Sequence, residues 1–337
     1  MDDTVHLSLE DVYKLSFDVL TSRGFSSPHA AAIAETVTAG QRDACHSHGL
    51  YRLFMCVDTM RAGRVDPAAV PEISHPAPAI VQADARRGFS LLAFREGLPH
   101  LAEKAHRHGI AAMAINDCFH FSALWPEVEA IAAHGLAAIA MTPSHSWVAP
   151  AGGTQPVFGT NPFAFAWPRA GKNPYVFDFA TSMVARGEIE LHRRAGRPIP
   201  EGWALDKEGR PTTDPAQALD GAMLTFGSYK GSALSTMIEL LAGPLIGDLT
   251  SLQSRAFDAG AVATPFHGEL LIALDPALLG RGRTDQNEAA AEALFDAIVG
   301  QGARLPSQRR FEARKESIAH GVWVSRSLYD DIRKLAA

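Results

Sequence analysis

Apolar residues recur at helical spacing at both ends of the chain, and between the ends they collapse into short runs separated by Gly, Pro and Asn. A stripe of period 3.6 buries one face of a helix, whereas short punctuated apolar runs build the strands of a sheet. Helices outside and strands inside predict an α+β protein whose two ends pack together while the centre forms a sheet of its own. Ser8 is placed to cap a helix carrying Leu9, Val12, Leu15 and Val19, with Gly24 as its stop. Ser27 and Pro28 open a second helix running to Thr38, and a third starts at Ser47 with Tyr51, Phe54 and Met55 as buried positions. Strands are expected at 80–83, 110–115, 136–141, 163–167, 175–179 and 270–274. Further helices are expected at 90–108, 125–133, 231–241, after Gln286, and at 327–337 with Ser327 as cap. The stretch 193–225 has little periodicity and reads as an extended surface excursion, a dimer arm or a lid.

The 337 residues, 47% hydrophobic and 20% charged, suffice for two or three packed units. A formal charge of −6 without a basic run argues against nucleic acid or an anionic membrane as main partner, so a small anionic substrate would need a local Arg or Lys. Cys45, Cys56 and Cys118 form neither a disulfide framework nor a CxxC pair, which fits a reducing cytoplasm. The first residues lack a signal peptide's basic head and apolar run. The apolar stretch 233–247 contains Glu239 and Pro244, so it reads as a buried helix rather than a membrane span.

Chemistry concentrates in a few segments. Ser47, His48 and Arg52 bring a hydroxyl, an imidazole and a guanidinium within six residues. Such a set can protonate a C=N or C=O bond while a fixed cation holds a neighbouring carboxylate. On a helix His48 and Arg52 share a face, whereas Ser47 and His48 diverge by about 100° and make an awkward bonded pair. His46 and His48 also form an HxH pair, which could serve a metal-dependent hydrolase, but no Asp-His follows and no metal is expected. The segment Asn116 to Pro126, at the end of a strand and before a helix, offers backbone N–H groups to a phosphate or carboxylate, with His120 beside them. Phe158-Gly159-Thr160-Asn161-Pro162 is a turn with a hydroxyl and an amide. Asp178 sits inside an apolar strand and needs a partner, and Glu188 and Glu190 are other carboxylates for the histidine. Lys230, Arg304, Arg309 and Arg310 lie beside turns. G-x-G-x-x-G, Walker A, HExxH, GxSxG and CxxC motifs are all lacking.

Taken in this order, the segments resemble the malate/L-lactate dehydrogenase family of nicotinamide oxidoreductases, also called sulfolactate dehydrogenase-like, from the first helix to His320-Gly321. His120-Phe121-Ser122-Ala123-Leu124-Trp125-Pro126 and Arg304-Leu305-Pro306 look closest to its Δ1-piperideine-2-carboxylate/Δ1-pyrroline-2-carboxylate reductases, whereas ketoacid branches carry a glycine-rich version after the His-Phe pair. The resemblance implies a non-Rossmann nicotinamide domain on a largely antiparallel sheet, a homodimer, and NADPH as cofactor with NADH as the alternative. It divides the chain into a helical domain (1–75 and 286–337), a connecting α/β segment (76–115 and 266–285) and an NAD(P)-binding sheet domain (116–265). His48 would be the proton donor, Ser47 a relay helper, and Arg52 and Thr160 substrate contacts. Glu188 stands where the nearest relatives carry Asp, as the third relay member. The cofactor would be lined by His120, Phe121, Ser122, Ala123, Leu124, Asp178, Phe179, Ala180, Lys230, Arg304, Arg309 and Arg310, the last two favouring a 2′-phosphate by charge. The expected reaction is NADPH-dependent reduction of a cyclic imine carboxylate to L-proline or L-pipecolate. The alternatives are a 2-ketoacid reductase or its reverse, a malate or lactate dehydrogenase; the hydrolase above; and a non-catalytic ligand-binding protein.

Overall fold

The computed structural model describes residues 3–261 and 264–336. At the start, β1 (Thr4–Leu7) leads into α1 (Leu9–Ser22), α2 (Ser27–Arg42) and α3 (Arg52–Arg61). The centre runs β2 (Glu72–Ala77), β3 (Ile80–Asp84), α4 (Ser90–His108), β4 (Ile110–Phe119), α5 (Trp125–Ala133), β5 (Ala137–Met141), β6 (Phe163–Trp167) and β7 (Tyr175–Phe179). Next come α6 (Arg186–Arg194), β8 (Ala204–Leu205), β9 (Pro211–Thr212), α7 (Pro215–Asp220), β10 (Ala222–Met223), α8 (Tyr229–Ala242) and α9 (Ser251–Asp258). The chain closes with β11 (Phe266–Leu274), α10 (Pro276–Leu279), α11 (Thr284–Val299), α12 (Gln308–His320), β12 (Val322–Ser325) and α13 (Arg326–Ala336).

Seven strands make the main sheet in the order β2-β3-β4-β11-β5-β6-β7, antiparallel throughout except for β3 and β4. That one parallel pair is joined by α4, the crossover that parallel strands require. The central β11 is apolar on both faces because both are covered: Leu271 packs with Met113, Leu101 and Val128, while Leu270 meets Met141, Ile238 and Ala242 under α8. The two chain ends do meet, since β1 pairs with β12 and Val12, Val19 and Leu20 share a core with Ile332 and Leu335. That core continues through Phe89, Phe119 and Phe121 to the sheet's edge.

Several local expectations are corrected. Ser26, not Ser27, occupies the N-cap of α2. The helix expected from Ser47 is split into a 3-10 turn, His46–His48, and α3, because Gly49 between them has an extended ψ of −143°. The excursion is not structureless: β8, β9 and β10 form a small antiparallel sheet, and Ile199, Ala204, Ala218 and Met223 close a satellite core on Val148 and Phe158. Helix α11 lies along the far sheet edge, where Phe295 stacks on Tyr175 at 5.2 Å. Residue 337 of the expected tail helix lies outside the described residues. No single helix among the described residues is long and apolar enough to cross a membrane.

Helix α12 escaped the periodicity because its buried face is cationic. Arg310 and Arg314, one turn apart, reach Asp43 just past α2: Arg314 Nε and Nη2 donate to its two oxygens at 2.8 and 2.5 Å, and Arg310 Nη1 donates at 3.1 Å. Arg42 Nε adds a bond at 2.7 Å and Trp125 Nε1 one at 3.2 Å, while Glu129 of α5 pairs with both α12 guanidiniums. Burial would raise the Asp43 carboxyl, but the Arg314 and Arg42 hydrogen bonds outweigh it and hold it down to about 2, below its ordinary 3.8. Asp43→Asn leaves the guanidiniums short of a charge and is expected to cost about 3–5 kcal/mol at neutral pH, read from denaturant unfolding. The depressed value puts this stabilisation fully in place above about pH 4 and removes it as pH falls through 2, so the two proteins should converge in acid. A difference that stays constant down to pH 2 would count against the ion cluster as its source.

Candidate active site

The 3-10 turn carrying His48 rests directly on α2. Gly40 is where the two backbones touch, and a Cβ there would overlap the His48 carbonyl; a Cβ on Gly49 would overlap the Gln41 side chain. The Gln41 side-chain amide oxygen Oε1 accepts from the Leu50 N–H at 3.3 Å, tying the turn's exit to the same helix. In this tight turn Ser47 Oγ lies 3.1 Å from His48 Nδ1, so the directly bonded pair that a regular helix disfavours is present here. Edge-to-face contact with Trp125, at 5.9 Å between ring centroids, sets the imidazole plane. Desolvation, and then Arg52, push His48 down to about 3, so the resting imidazole is neutral.

Arg52 opens α3 beside it. Its Nε is enclosed without a partner, Nη1 meets only the Met55 sulfur at 2.9 Å, and no carboxylate pairs with it among the described residues. Thr160 stands on a separate turn, anchored by buried Asn161, whose amide donates to Glu239 at 2.8 Å, and by the Thr181 N–H bonded to the Thr160 carbonyl. Glu188 is not brought to His48. It is exposed on α6 and faces His192 at 3.8 Å. His46 is likewise exposed, 3.4 Å from the Gln41 amide, and no third His, Cys, Asp or Glu joins it and His48 at metal-ligand spacing among the described residues.

The strand-to-helix loop after β4 is immobilised by Phe121, which packs edge-on to Phe89 at 5.4 Å. Its neighbours His120 and Ser122 are buried with His120 Nε2 and Ser122 Oγ unbonded, and Leu124 is buried too. The backbone donors opening α5 do receive a carboxylate, but the protein's own: Leu124 and Trp125 N–H donate to Asp178 Oδ2 at 2.9 and 3.0 Å. Burial raises Asp178 to about 6 despite these bonds. Beyond it Phe179 is half-exposed and stacked on Phe177, and Ala180 is partly buried. Lys230, Arg304 and Arg309 are exposed, whereas Arg310 is buried in the Asp43 cluster and so is no free cation for a phosphate. A cleft of about 710 Å³ opens between α12 and the β6–β7 connection, with Tyr175, Pro306, Gln308 and Lys315 on its walls. The unbonded buried Ser122 hydroxyl and His120 imidazole are polar groups of the kind that fit a nicotinamide ring.

Trp125 is therefore the meeting point of the His48 turn, the Asp178 strand end and Arg310, whose guanidinium lies 5.2 Å from its ring. Sequence reasoning passed over Asp43, Trp125 and Arg314, although the four-residue spacing of Arg310 and Arg314 was a signal. It also passed over Glu127 and Glu269. Glu269 lies in an apolar run, as Asp178 does, and invited the same question.

A mostly antiparallel sheet between helices, a Ser-His pair and a sequence without G-x-G-x-x-G are joined by a family match that makes the chain a nicotinamide-dependent oxidoreductase. The chain belongs to the malate/L-lactate dehydrogenase family, whose profile matches residues 7–333. A Δ1-pyrroline-2-carboxylate reductase of Pseudomonas fluorescens is 63% identical over 99% of this chain and 100% of its own length. Δ1-Pyrroline-2-carboxylate reductase 2 of Burkholderia multivorans is 63% identical over 98% and 97%. The crystal structure of Δ1-piperideine-2-carboxylate reductase from Pseudomonas syringae pathovar tomato superposes with a TM-score of 0.93 at 38% identity, covering 98% of this chain and 100% of that one.

The Gly40 contact can be tested directly. Gly40→Ala should push the His48 turn outward and reduce turnover by roughly 10²-fold, the scale of a displacement near 1 Å. Wild-type turnover in a folded variant would show that the turn is not held by this approach.

Proposed function

We propose that this chain reduces Δ1-pyrroline-2-carboxylate and Δ1-piperideine-2-carboxylate, cyclic imines with an adjacent carboxylate, to L-proline and L-pipecolate with NADPH. The observation that carries this is Arg52, a half-buried guanidinium beside His48 whose Nε is enclosed and which has no carboxylate partner among the described residues. A lone cation in such a place is unfavourable until an anion arrives, and the substrate carboxylate is that anion. The similar reductases, named for these two imines, supply the ring chemistry.

When bound, NADPH supplies a hydride to the imine carbon. The residues prepare that carbon. A carboxylate on Arg52 cancels the charge that opposes protonation of His48, so substrate binding itself raises the proton affinity of the imidazole. His48 then delivers a proton to the ring nitrogen and makes the neighbouring carbon electron-poor. Ser47, bonded to Nδ1, fixes which ring nitrogen faces the substrate. Thr160 bounds the other side of the ring. Preference for NADPH rests on Arg309 and on Lys315 at the cleft, since Arg310 is already neutralised. Glu188 enters no step.

His48→Ala should lower turnover by roughly 10²- to 10⁴-fold. Arg52→Ala should act mainly by raising KM, and unchanged kinetics would remove it from the site. NADPH oxidation with pyrroline-2-carboxylate set against pyruvate and oxaloacetate tests the substrate class; faster turnover of either ketoacid would overturn the imine reading.

A further inference from the structure

Behind the site lie three ionisable groups that no step above uses. His120 at the end of β4, Glu127 in the first turn of α5 and Glu269 within β11 are 6%, 1% and 0% exposed, and one ligand atom from each lies within 4.8 Å of the others. His120 Nε2 and all four carboxyl oxygens lack a hydrogen-bond donor. No Lys or Arg pairs with either glutamate among the described residues, and the nearest basic atom is His120 Nε2, 3.8 Å from Glu269 Oε2. His267, the other imidazole on this side, is already bonded to Thr142. Asp178 adds a further acid near Glu127, while His48 and Arg52 are close enough to His120 to act on its charge.

Two carboxyls in contact away from water cannot both ionise, so above about pH 7, where Glu269 loses its proton, they hold one proton and one negative charge between them. We propose that this singly charged Glu127–Glu269 pair makes the site selective for a protonated imine ring over a carbonyl, acting through His120; the inference rests on the imine reading above. Glu269 draws the Nε2–H tautomer of His120 and leaves the electron-rich Nδ1 for the site. A cationic ring is favoured there. A carbonyl oxygen, which gains negative charge as hydride adds, is opposed. The direction of the titrations agrees: burial and the neighbouring Glu269 drive Glu127 well up, and burial raises Glu269 to about 7.

The two glutamates are positioning residues with unequal parts, which separates this role from mere structural support. In Glu269→Gln the remaining Glu127 stays neutral, so the charge behind His120 is lost. In Glu127→Gln the new amide donates to Glu269, which keeps its charge. The expected result is that the kcat/KM ratio for pyrroline-2-carboxylate over 2-oxopentanoate falls by roughly 10²-fold in Glu269→Gln and stays near wild type in Glu127→Gln. Equal losses in both variants, or equal losses for both substrates, would overturn the proposal. Nitrogen NMR of the wild-type protein needs no variant to fold: a proton on His120 Nε2 supports it, and a proton on Nδ1, or a stoichiometric divalent ion held by the pair, overturns it. Failure of the imine reading would show separately, as wild-type protein that reduces no cyclic imine, and would take this inference with it.

Discussion

One buried carboxylate organises the parts of this chain that are farthest apart in sequence. Asp43 is 2% exposed and receives guanidinium donors from Arg42, Arg310 and Arg314 together with the Trp125 indole. Through it the end of α2, the start of α5 and the inner face of α12 are fixed to one point, 267 residues apart along the chain in the case of Arg310. Apolar side chains of the same volume could give equal stability without the desolvation of so many charges. What an ion cluster adds is direction, since each guanidinium fits the carboxylate from one angle. The His48 turn begins three residues past Asp43, and Trp125 touches both, so that angle passes straight to the imidazole.

Within the same region the chain leaves other charges unanswered. Among the described residues Arg52 pairs with no anion, and Glu127 and Glu269 have each other and a neutral histidine as neighbours. A fold selected for stability alone would pair or remove such groups, because an unpaired buried charge is among the costliest features a core can carry. The contrast with Asp43 is informative: the satisfied cluster holds elements, while the unsatisfied groups gather around Arg52 and behind His120. Stability is traded for complementarity where both can be read as charge.

Much of the fold was legible because burial leaves a period. The six expected strands and the helices over 90–108 and 125–133 all appear, since each buries apolar side chains, on one face or, as in β11, on both. Elements held by polar contacts were not legible: α12 buries arginines, and β2 is a largely exposed edge strand with no apolar alternation to show. At the site, spacing located Ser47, His48 and Arg52 but gave them the wrong local form. Gly49 breaks the helix, and the pairing of Ser47 with His48 depends on that break. Glu188 was placed by resemblance to an aspartate, and no local signal could say that its helix points it at solvent. Arg310 looked like a free cation because its partner Asp43 is remote in sequence.

The start of α5 shows why the glycine-rich fingerprint has no counterpart here. In a dinucleotide fold the glycines let a phosphate approach a helix N-terminus, whose free N–H groups and dipole hold it. In this chain Asp178 from the adjacent strand already occupies the Leu124 and Trp125 N–H groups. A phosphate brought to that point would meet a carboxylate. The helix end is used instead to lock Trp125 against His48, so the donors that bind cofactor in the Rossmann class serve here to position the His48 imidazole.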